Sequence, residues 1–370
     1  MRIAFLAPAY PLRGGIVQFV SLMADSLSSE HEIQFFSFKR QYPKILFPGK
    51  DQLDHEENRY EFPINSQLIP YNPFTWKNTV KKIDEFAPDI IIFKYWIPFF
   101  APAFGWILRK INPKIKKIVI IDNIDFHEKW LMGEFLTKYA LSKTNLLVSM
   151  SENVLKTSKN IFPKKRNILA FHPNYQCYDF NKYSKESAKK ELKLSHKKVI
   201  LFFGYIKKYK GLDILLKSFK LLQDKSDDYR LLIVGEVYGD ESEYFDLIKD
   251  LGIARKLVFI NRFAENSEIE KFFKAADVLA LPYKHATQSG VLKIADSFEL
   301  GAVGTPIGGI PEMINDGKTG IVAKSISPQD FSEAISDYFE LDENEIKNHL
   351  SRKNNQLSWS KFNNLILENL

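Results

Sequence analysis

The residues Phe202-Phe203-Gly204-Tyr205-Ile206-Lys207-Lys208-Tyr209-Lys210-Gly211 carry the clearest chemical pattern in the chain. Three ammonium groups stand within four positions, behind a glycine that lets the backbone turn tightly. The apolar run Lys198–Phe203 before them predicts a buried strand. The amphipathic segment Leu212–Leu222 after them predicts a helix whose N-terminus points back at the lysines. Strand, glycine, cations and helix N-terminus together suit a diphosphate. A lysine run alone more often marks a solvated turn, and the converging helix end favours phosphate here.

Two further loops could serve the same ligand. Gly14-Gly15 follows the first expected strand, Arg2 to Ala7, and bare glycines let a ligand approach the main chain closely. The full dinucleotide fingerprint spacing is absent, so a plain tight turn explains the pair equally well. The other loop precedes an expected helix at 291–300. Gln288, Ser289 and Gly290 form its approach, Ser289 can cap it, and the backbone N–H groups there and at Val291 would face a ligand. Asp296 lies about two turns on, on a similar face to Gln288. That spacing suits one polar group near a transferred sugar and one near a ribose; an ordinary capped helix with an exposed Asp is the alternative. Arg262, just past a strand ending at Ile260, lies near where a base would sit.

The elements that must position these loops alternate along the chain. Asp89–Phe93, Lys117–Ile121 and Asn145–Met150 are near-continuous apolar runs, as in buried parallel strands covered by helices. Alternation breaks at 171–197 and then resumes. This predicts an α/β protein of two doubly wound domains, 1–172 and 198–355, joined by a linker at 173–197 and facing a central cleft. Ligands in such sheets sit at the carboxyl ends of the strands.

Composition narrows the class. Two domains suit 370 residues. With 45% apolar and 26% charged residues the chain is globular rather than disordered. The single cysteine, Cys177, excludes an intramolecular disulfide framework and a multi-cysteine metal site, and fits a reducing compartment. No run of eighteen apolar residues predicts a membrane span, and the opening Met1-Arg2-Ile3 lacks the long apolar region of a signal peptide, so a cytoplasmic protein is expected. Residues 1–170 hold 24 Lys+Arg against 16 Asp+Glu, and the remainder 28 against 29. The basic excess of the first half could meet a phosphorylated ligand, an anionic membrane or a nucleic acid. No nucleic-acid motif supports the last.

As an ordered series, the motifs resemble the GT-B nucleotide-sugar glycosyltransferases, of the retaining family 4 type that builds bacterial surface polysaccharides. The likeness is carried by Pro11-Leu12-Arg13-Gly14-Gly15-Ile16, Pro88-Asp89-Ile90-Ile91-Ile92-Phe93 through Trp96, the 203–211 loop, and Leu232-Ile233-Val234-Gly235-Glu236. Ala275-Ala276-Asp277 with Leu281-Pro282-Tyr283, Gly308-Gly309-Ile310-Pro311-Glu312 and Asn315-Asp316-Gly317-Lys318-Thr319-Gly320 complete it. It runs from about residue 3 to Trp359.

The resemblance implies two Rossmann-like domains, with a nucleoside-diphosphate sugar held mainly by the second. It also implies that a last helix at 356–370 packs back on the first. Lys207 and Lys210 would bind the diphosphate; Lys207 stands where many members have arginine, keeping the charge without the planar fork. Gln288 and Asp296 replace the two glutamates usual around donor sugar and ribose, and 300–305 is about two residues shorter than usual. In the first domain, Asp122 occupies the place of a histidine many members carry, and His127 matches a second one. His127, Asp122 and Gln288 are therefore the candidates around the reacting sugar.

The expected reaction is metal-independent, because no Asp-x-Asp motif is visible and the lysines can stabilise the leaving diphosphate. No cofactor is expected beyond the donor itself. The acceptor would be a glycan or a lipid-linked sugar. Trp96, Phe99, Phe100, Phe104 and Trp106 beside Arg109, Lys110, Lys114, Lys116 and Lys117 suit the interface of an anionic membrane, although core packing accounts for most of these aromatics. Two other readings remain open: a nucleotide-sugar epimerase on the same fold, and a non-catalytic nucleotide-sugar-binding subunit.

Overall fold

The computed structural model describes residues 1–43, 51–54, 60–124, 132–178, 181–286 and 289–370. The chain divides into two units, Met1–His172 with Trp359–Leu370, and Pro173–Ser358. Each is built on one parallel sheet, as the alternating apolar runs predict.

Unit 1 runs β1 (Arg2–Leu6), α1 (Gly15–Ser28), β2 (Glu32–Phe38), β3 (Ile64–Leu68), α2 (Pro73–Phe86), β4 (Ile90–Tyr95) and α3 (Ala101–Lys110). It continues with β5 (Lys116–Ile121), α4 (Gly133–Leu141), β6 (Leu146–Ser149), α5 (Glu152–Ile161) and β7 (Arg166–Leu169). The strand order is β3-β2-β1-β4-β5-β6-β7. Every residue of β4 is buried, as a central strand covered on both faces requires. Alternate side chains leave the sheet on opposite sides. Phe36, Phe93, Tyr95 and Phe104 pack in one core, and Phe5, Phe19, Phe35 and Ile92 in the other. The aromatic group noted above belongs to the first core. Phe100 and Phe104 are fully buried in it, and Trp96, Phe99 and Trp106 pack against it half-buried.

Unit 2 runs α6 (Lys185–Glu191), β8 (Lys198–Phe203), α7 (Leu212–Lys225), β9 (Tyr229–Val234), α8 (Ser242–Asp250), β10 (Leu257–Ile260), α9 (Asn266–Ala275) and β11 (Val278–Leu281). It continues with α10 (Gly290–Ser297), β12 (Ala302–Gly304), α11 (Ile310–Met313), β13 (Gly320–Val322), α12 (Pro328–Tyr338) and α13 (Glu343–Gln356). Its order is β10-β9-β8-β11-β12-β13. The order reverses between β8 and β11, which makes the carboxyl end of β8 the switch point where such sheets bind ligands. Part of 173–197, read from sequence as a linker, is α6, capped by a reciprocal Ser184–Ser187 pair and packed on α9. α10 stops at Ser297, three residues short of the expected 300. The next residues include Glu299 at φ 54, a left-handed conformation that a helix cannot continue through.

The last helix, α14 (Trp359–Glu368), belongs to unit 1. Phe362 and Ile366 are fully buried in the core that holds Phe19, and the rings of Trp359 and Phe362 meet Phe19 edge-on at 4.9 and 5.8 Å.

Candidate functional site

β8 delivers the chain to Gly204, whose φ of +96° lies where a side chain is disfavoured. Its N–H donates to the Val234 carbonyl at 2.9 Å. A Cβ on Gly204 would lie 3.1 Å from Lys210 Nζ and 3.4 Å from Val291 Cγ2. The glycine is thus a floor shared by the lysine loop and the first turn of α10. A Cβ on Gly235, at the end of β9, would lie 2.0 Å from the Gly204 carbonyl oxygen, so two bare backbones touch there.

The three lysines separate by geometry. A 3-10 turn over Lys208–Lys210 ends at Gly211, where φ is +70° and a Cβ would strike the Pro282 carbonyl oxygen at 1.9 Å. Lys284 N–H donates to the Tyr209 carbonyl at 2.7 Å and pins the turn to the end of β11. Lys208 is exposed and pairs with Glu243 at 2.8 Å. Lys207 and Lys210 are half-buried instead, their Nζ atoms 5.4 Å and 5.6 Å from the ring centroids of Tyr238 and Tyr283. Burial lowers the Lys210 pKa below the usual lysine range.

At α10, Ser289 is the N-cap: its Oγ accepts from the Leu292 N–H at 3.3 Å. The Tyr283 hydroxyl lies 3.5 Å from the same Oγ, and burial pushes the Tyr283 phenol up to about 12. No heavy atom stands within 4 Å of a Cβ position on Gly290. Gln288 lies outside the described residues.

Two residues anticipated as donor contacts hold other partners. Asp296 is 2% exposed, and its Oδ2 accepts from Lys293 at 3.0 Å and pairs with Lys353 of α13 at 2.9 Å. Its carboxylate is built into the packing of α10 on α13 instead of standing exposed. Arg262 makes a two-pronged ion pair with Glu268, Nη1–Oε2 and Nη2–Oε1 both at 2.6 Å, at the start of α9. Glu268 lies within hydrogen-bond reach because it occupies the first turn of the helix that Arg262 precedes.

In unit 1, Gly14 sits at φ +119° and precedes α1, with no heavy atom within 4 Å of a Cβ position on it or on Gly15. Asp122 follows β5. Its two carboxylate oxygens accept from Lys94 Nζ at 2.6 and 2.8 Å. His127 and Asp125 lie outside the described residues.

Sequence reasoning missed Lys94, the one charged residue in the strand Ile90–Tyr95. An isolated charge in a central strand was the signal available. It also missed the aromatic group at the carboxyl ends of β8, β9 and β10, where Tyr205 meets Tyr238 at 4.5 Å and Phe263 at 5.7 Å between ring centroids. Among the described residues no group of three or more His, Cys, Asp and Glu is placed to hold a metal ion. Among them, too, no helix is long and apolar enough to cross a membrane.

Comparison with known proteins fits this geometry. Residues 184–356, nearly all of unit 2, match the family Glycosyl transferases group 1. The chain is 24% identical to spore coat protein SA of Bacillus subtilis (strain 168) over 91% of its own length and 89% of that protein's. It is 31% identical to a D-inositol 3-phosphate glycosyltransferase of Corynebacterium aurimucosum over 40% of its length, spanning 37% of that relative. Among solved structures, Anabaena HepE in complex with UDP superposes with a TM-score of 0.75 at 15% identity, covering 100% of this chain and 99% of that one. The two-sheet architecture is GT-B.

Proposed function

We propose that the chain is a glycosyltransferase that transfers a sugar from a nucleoside-diphosphate donor, with retention and without a metal ion, to a glycan or lipid-linked acceptor in bacterial surface polysaccharide synthesis. One observation carries the donor half of this reading. Lys210 Nζ and the first turn of α10 both stand against Gly204, at the switch point of the unit 2 sheet. A diphosphate seated there would meet ammonium groups from Lys207 and Lys210 and the backbone N–H groups of Gly290 and Val291. A nucleoside diphosphate also occupies the structurally similar HepE.

The chemistry follows from where charge develops. As the bond from the sugar anomeric carbon to the phosphate oxygen breaks, negative charge grows on the leaving diphosphate, and fixed cations stabilise it there. Under retention, the acceptor hydroxyl attacks on the leaving-group face. The new bond joins the acceptor oxygen to the anomeric carbon, and the acceptor proton passes to the departing phosphate oxygen. Asp122 and His127 would position the sugar rather than act as nucleophiles, and Gln288 is kept as a candidate for the donor sugar. The basic surface of the first half supports acceptors carried on anionic membranes, with the enzyme at the cytoplasmic face.

The test is a thermal-shift screen with UDP-, GDP- and ADP-sugars, since a bound donor stabilises the fold by mass action. Wild-type donor affinity in Lys207→Ala/Lys210→Ala would remove the diphosphate assignment. Product analysis by NMR gives the anomeric configuration, and transfer that persists in EDTA supports metal independence. A product that forms without acceptor would favour epimerisation instead.

A further inference from the structure

Leu257-Val258-Phe259-Ile260 forms β10, an outer strand of the unit 2 sheet without a polar residue. All four residues are half-buried. β10 pairs with β9 in parallel register, Ile260 beside Val234. The Gly235 N–H donates to the Ile260 carbonyl at 3.0 Å, so Val258 and Ile260 turn their backbone groups toward β9. Leu257 and Phe259 turn theirs outward. Among the described residues nothing meets those outward N–H and C=O groups.

An open strand edge invites another strand, and folded proteins blunt it with charges, proline, bulges or a covering segment. The other outer strands, β3, β7 and β13, are blunted in this way. β3 carries Asn65, Ser66 and Gln67 and meets a register shift at Ser37 and Phe38. β7 carries Arg166 and Asn167, bonded to Asn369 and Ser158. β13 is closed by its own turn: the Val322 N–H donates to Asp316 Oδ1 at 2.8 Å, and the Gly320 carbonyl accepts from the Gly317 N–H at 2.8 Å. β10 has none of these devices.

The flank of β10 is complementary to itself. Phe245 of α8 is 44% exposed, and its ring stacks on Phe259 at 5.2 Å. Glu241 and Lys249 stand four positions either side of Phe245, on the same face of the helix. α8 follows β9 and precedes β10, so it runs back from the carboxyl edge of the sheet to the amino edge. Glu241 therefore lies by the end of β10, where it accepts from Asn261 Nδ2, and Lys249 lies by its start. Arg255 stands just before β10 and Glu265 beyond it. Lys249 and Arg255 are exposed and have no ion-pair partner among the described residues. The other charges leave this polarity intact. Lys256 pairs with Asp227 and Arg262 with Glu268, while Asp246 and Asp250 line a cavity with Lys217 of α7.

We propose that β10 is a self-association edge: a second copy of this chain adds its own β10, antiparallel, across a two-fold axis. Identical strands related by such an axis run antiparallel. Centring the pair on Val258 lets Leu257 of each copy exchange hydrogen bonds with Phe259 of the other, which satisfies every outward group. The two sheets become continuous, and both α8 helices lie on one face. Lys249 of one copy then faces Glu241 of the other, and Arg255 faces Glu265, each contact occurring twice by symmetry. The seam is one short strand and its flanking helix wide, so the association is reversible. It is independent of the transferase reading, because no residue of the seam belongs to the lysine loop or to α10.

Analytical ultracentrifugation of the full chain at low salt should show a monomer–dimer equilibrium that shifts toward monomer as salt rises. Phe245→Ser, Lys249→Glu and Glu241→Lys should each raise the dimer dissociation constant at least ten-fold, the last two by setting like charges face to face. Lys249→Glu mixed with Glu241→Lys should dimerise as wild type does, because both contacts then regain opposite charges. That recovery also shows that both variants are folded. Should Glu241→Lys fail to fold, Phe245→Ser and Arg255→Glu carry the test. Hydrogen exchange at Leu257 and Phe259 should slow as protein concentration rises. A wild-type chain still monomeric at about 0.1 mM overturns the proposal. So does a dimer that Phe245→Ser and Lys249→Glu leave intact, a mixture no more dimeric than its folded components, or protection that falls outside β10.

Discussion

Gly235 and Gly204 meet backbone to backbone: a Cβ on Gly235 would lie 2.0 Å from the Gly204 carbonyl oxygen. Neither atom belongs to a side chain that could swing aside, so relief requires β8 or β9 to shift at the ligand-binding edge. Gly235→Ala is expected to cost about 1–3 kcal/mol of stability, in the range of overpacked interiors. It should also weaken donor binding, because the displaced carbonyl belongs to the residue under Lys210. Urea denaturation and a donor thermal shift on the same variant check both halves.

The two half-buried lysines should contribute unequally from Lys208. Charge-assisted hydrogen bonds are worth about 1.5–3 kcal/mol each, so Lys207→Ala or Lys210→Ala should weaken donor binding by roughly ten-fold to a hundred-fold. Lys208→Ala removes only an exposed pair with Glu243 and should change affinity little. Titration calorimetry with the nucleotide sugar found in the screen reads the three variants side by side.

Lys210 also sets a pH dependence. Burial depresses its pKa below that of an ordinary lysine, and its charged form is the one a diphosphate needs. Donor affinity is therefore present below the depressed pKa and is lost as pH rises through it, earlier than for an exposed lysine. A bound diphosphate raises the pKa again, so binding in the alkaline range takes up protons. Lys210→Arg, which stays charged, should flatten the alkaline limb. Affinity measured from pH 7 to 10 in both proteins tests the sign.

Asp296 should behave as a structural anion. Its Oδ2 holds Lys293, itself buried, and Lys353. Asp296→Asn leaves the Lys293 charge without its partner and should cost about 3–5 kcal/mol. Replacing both charges, as Lys293→Met/Asp296→Leu, should restore most of that stability. If the restored protein still binds donor normally, the ribose contact implied by the family resemblance is absent.

Phe362 anchors the closing helix. Its ring is fully buried among Phe19, Phe171 and Trp359, at centroid distances of 5.8, 5.9 and 5.9 Å. Phe362→Ala should destabilise unit 1 by about 3–5 kcal/mol. Hydrogen exchange is expected to show the loss in β1, α1 and β4 first, with unit 2 amides unaffected.

Much of the scaffold was legible because its signals are local. The apolar runs at 90–93 and 198–203 carry their burial in their composition, and Gly204, Lys207 and Lys210 lie within seven positions of one another. The Ser184–Ser187 capping pair is equally local, although the polar composition around it suits a linker. What stayed hidden depends on register and distant packing. Lys94 meets Asp122 across 28 residues because β4 and β5 pair Tyr95 with Ile121. The lysine at i−3 from Asp296 could be seen on the helix, but Lys353 arrives from another helix 57 positions later, and only tertiary packing brings it there. The partner of Arg262 was hidden for another reason. A cation just before a helix finds the nearest acidic side chain of its first turn, and Glu268 was six positions away.

Because Trp359–Leu370 completes the core of the unit begun by Met1, unit 2 is in effect inserted within unit 1. During synthesis all of unit 2 emerges before the helix that closes the core of the first unit. A premature stop beyond residue 358 would therefore spare the lysine loop and undermine the amino-terminal half, a polarity opposite to the reading direction of the message.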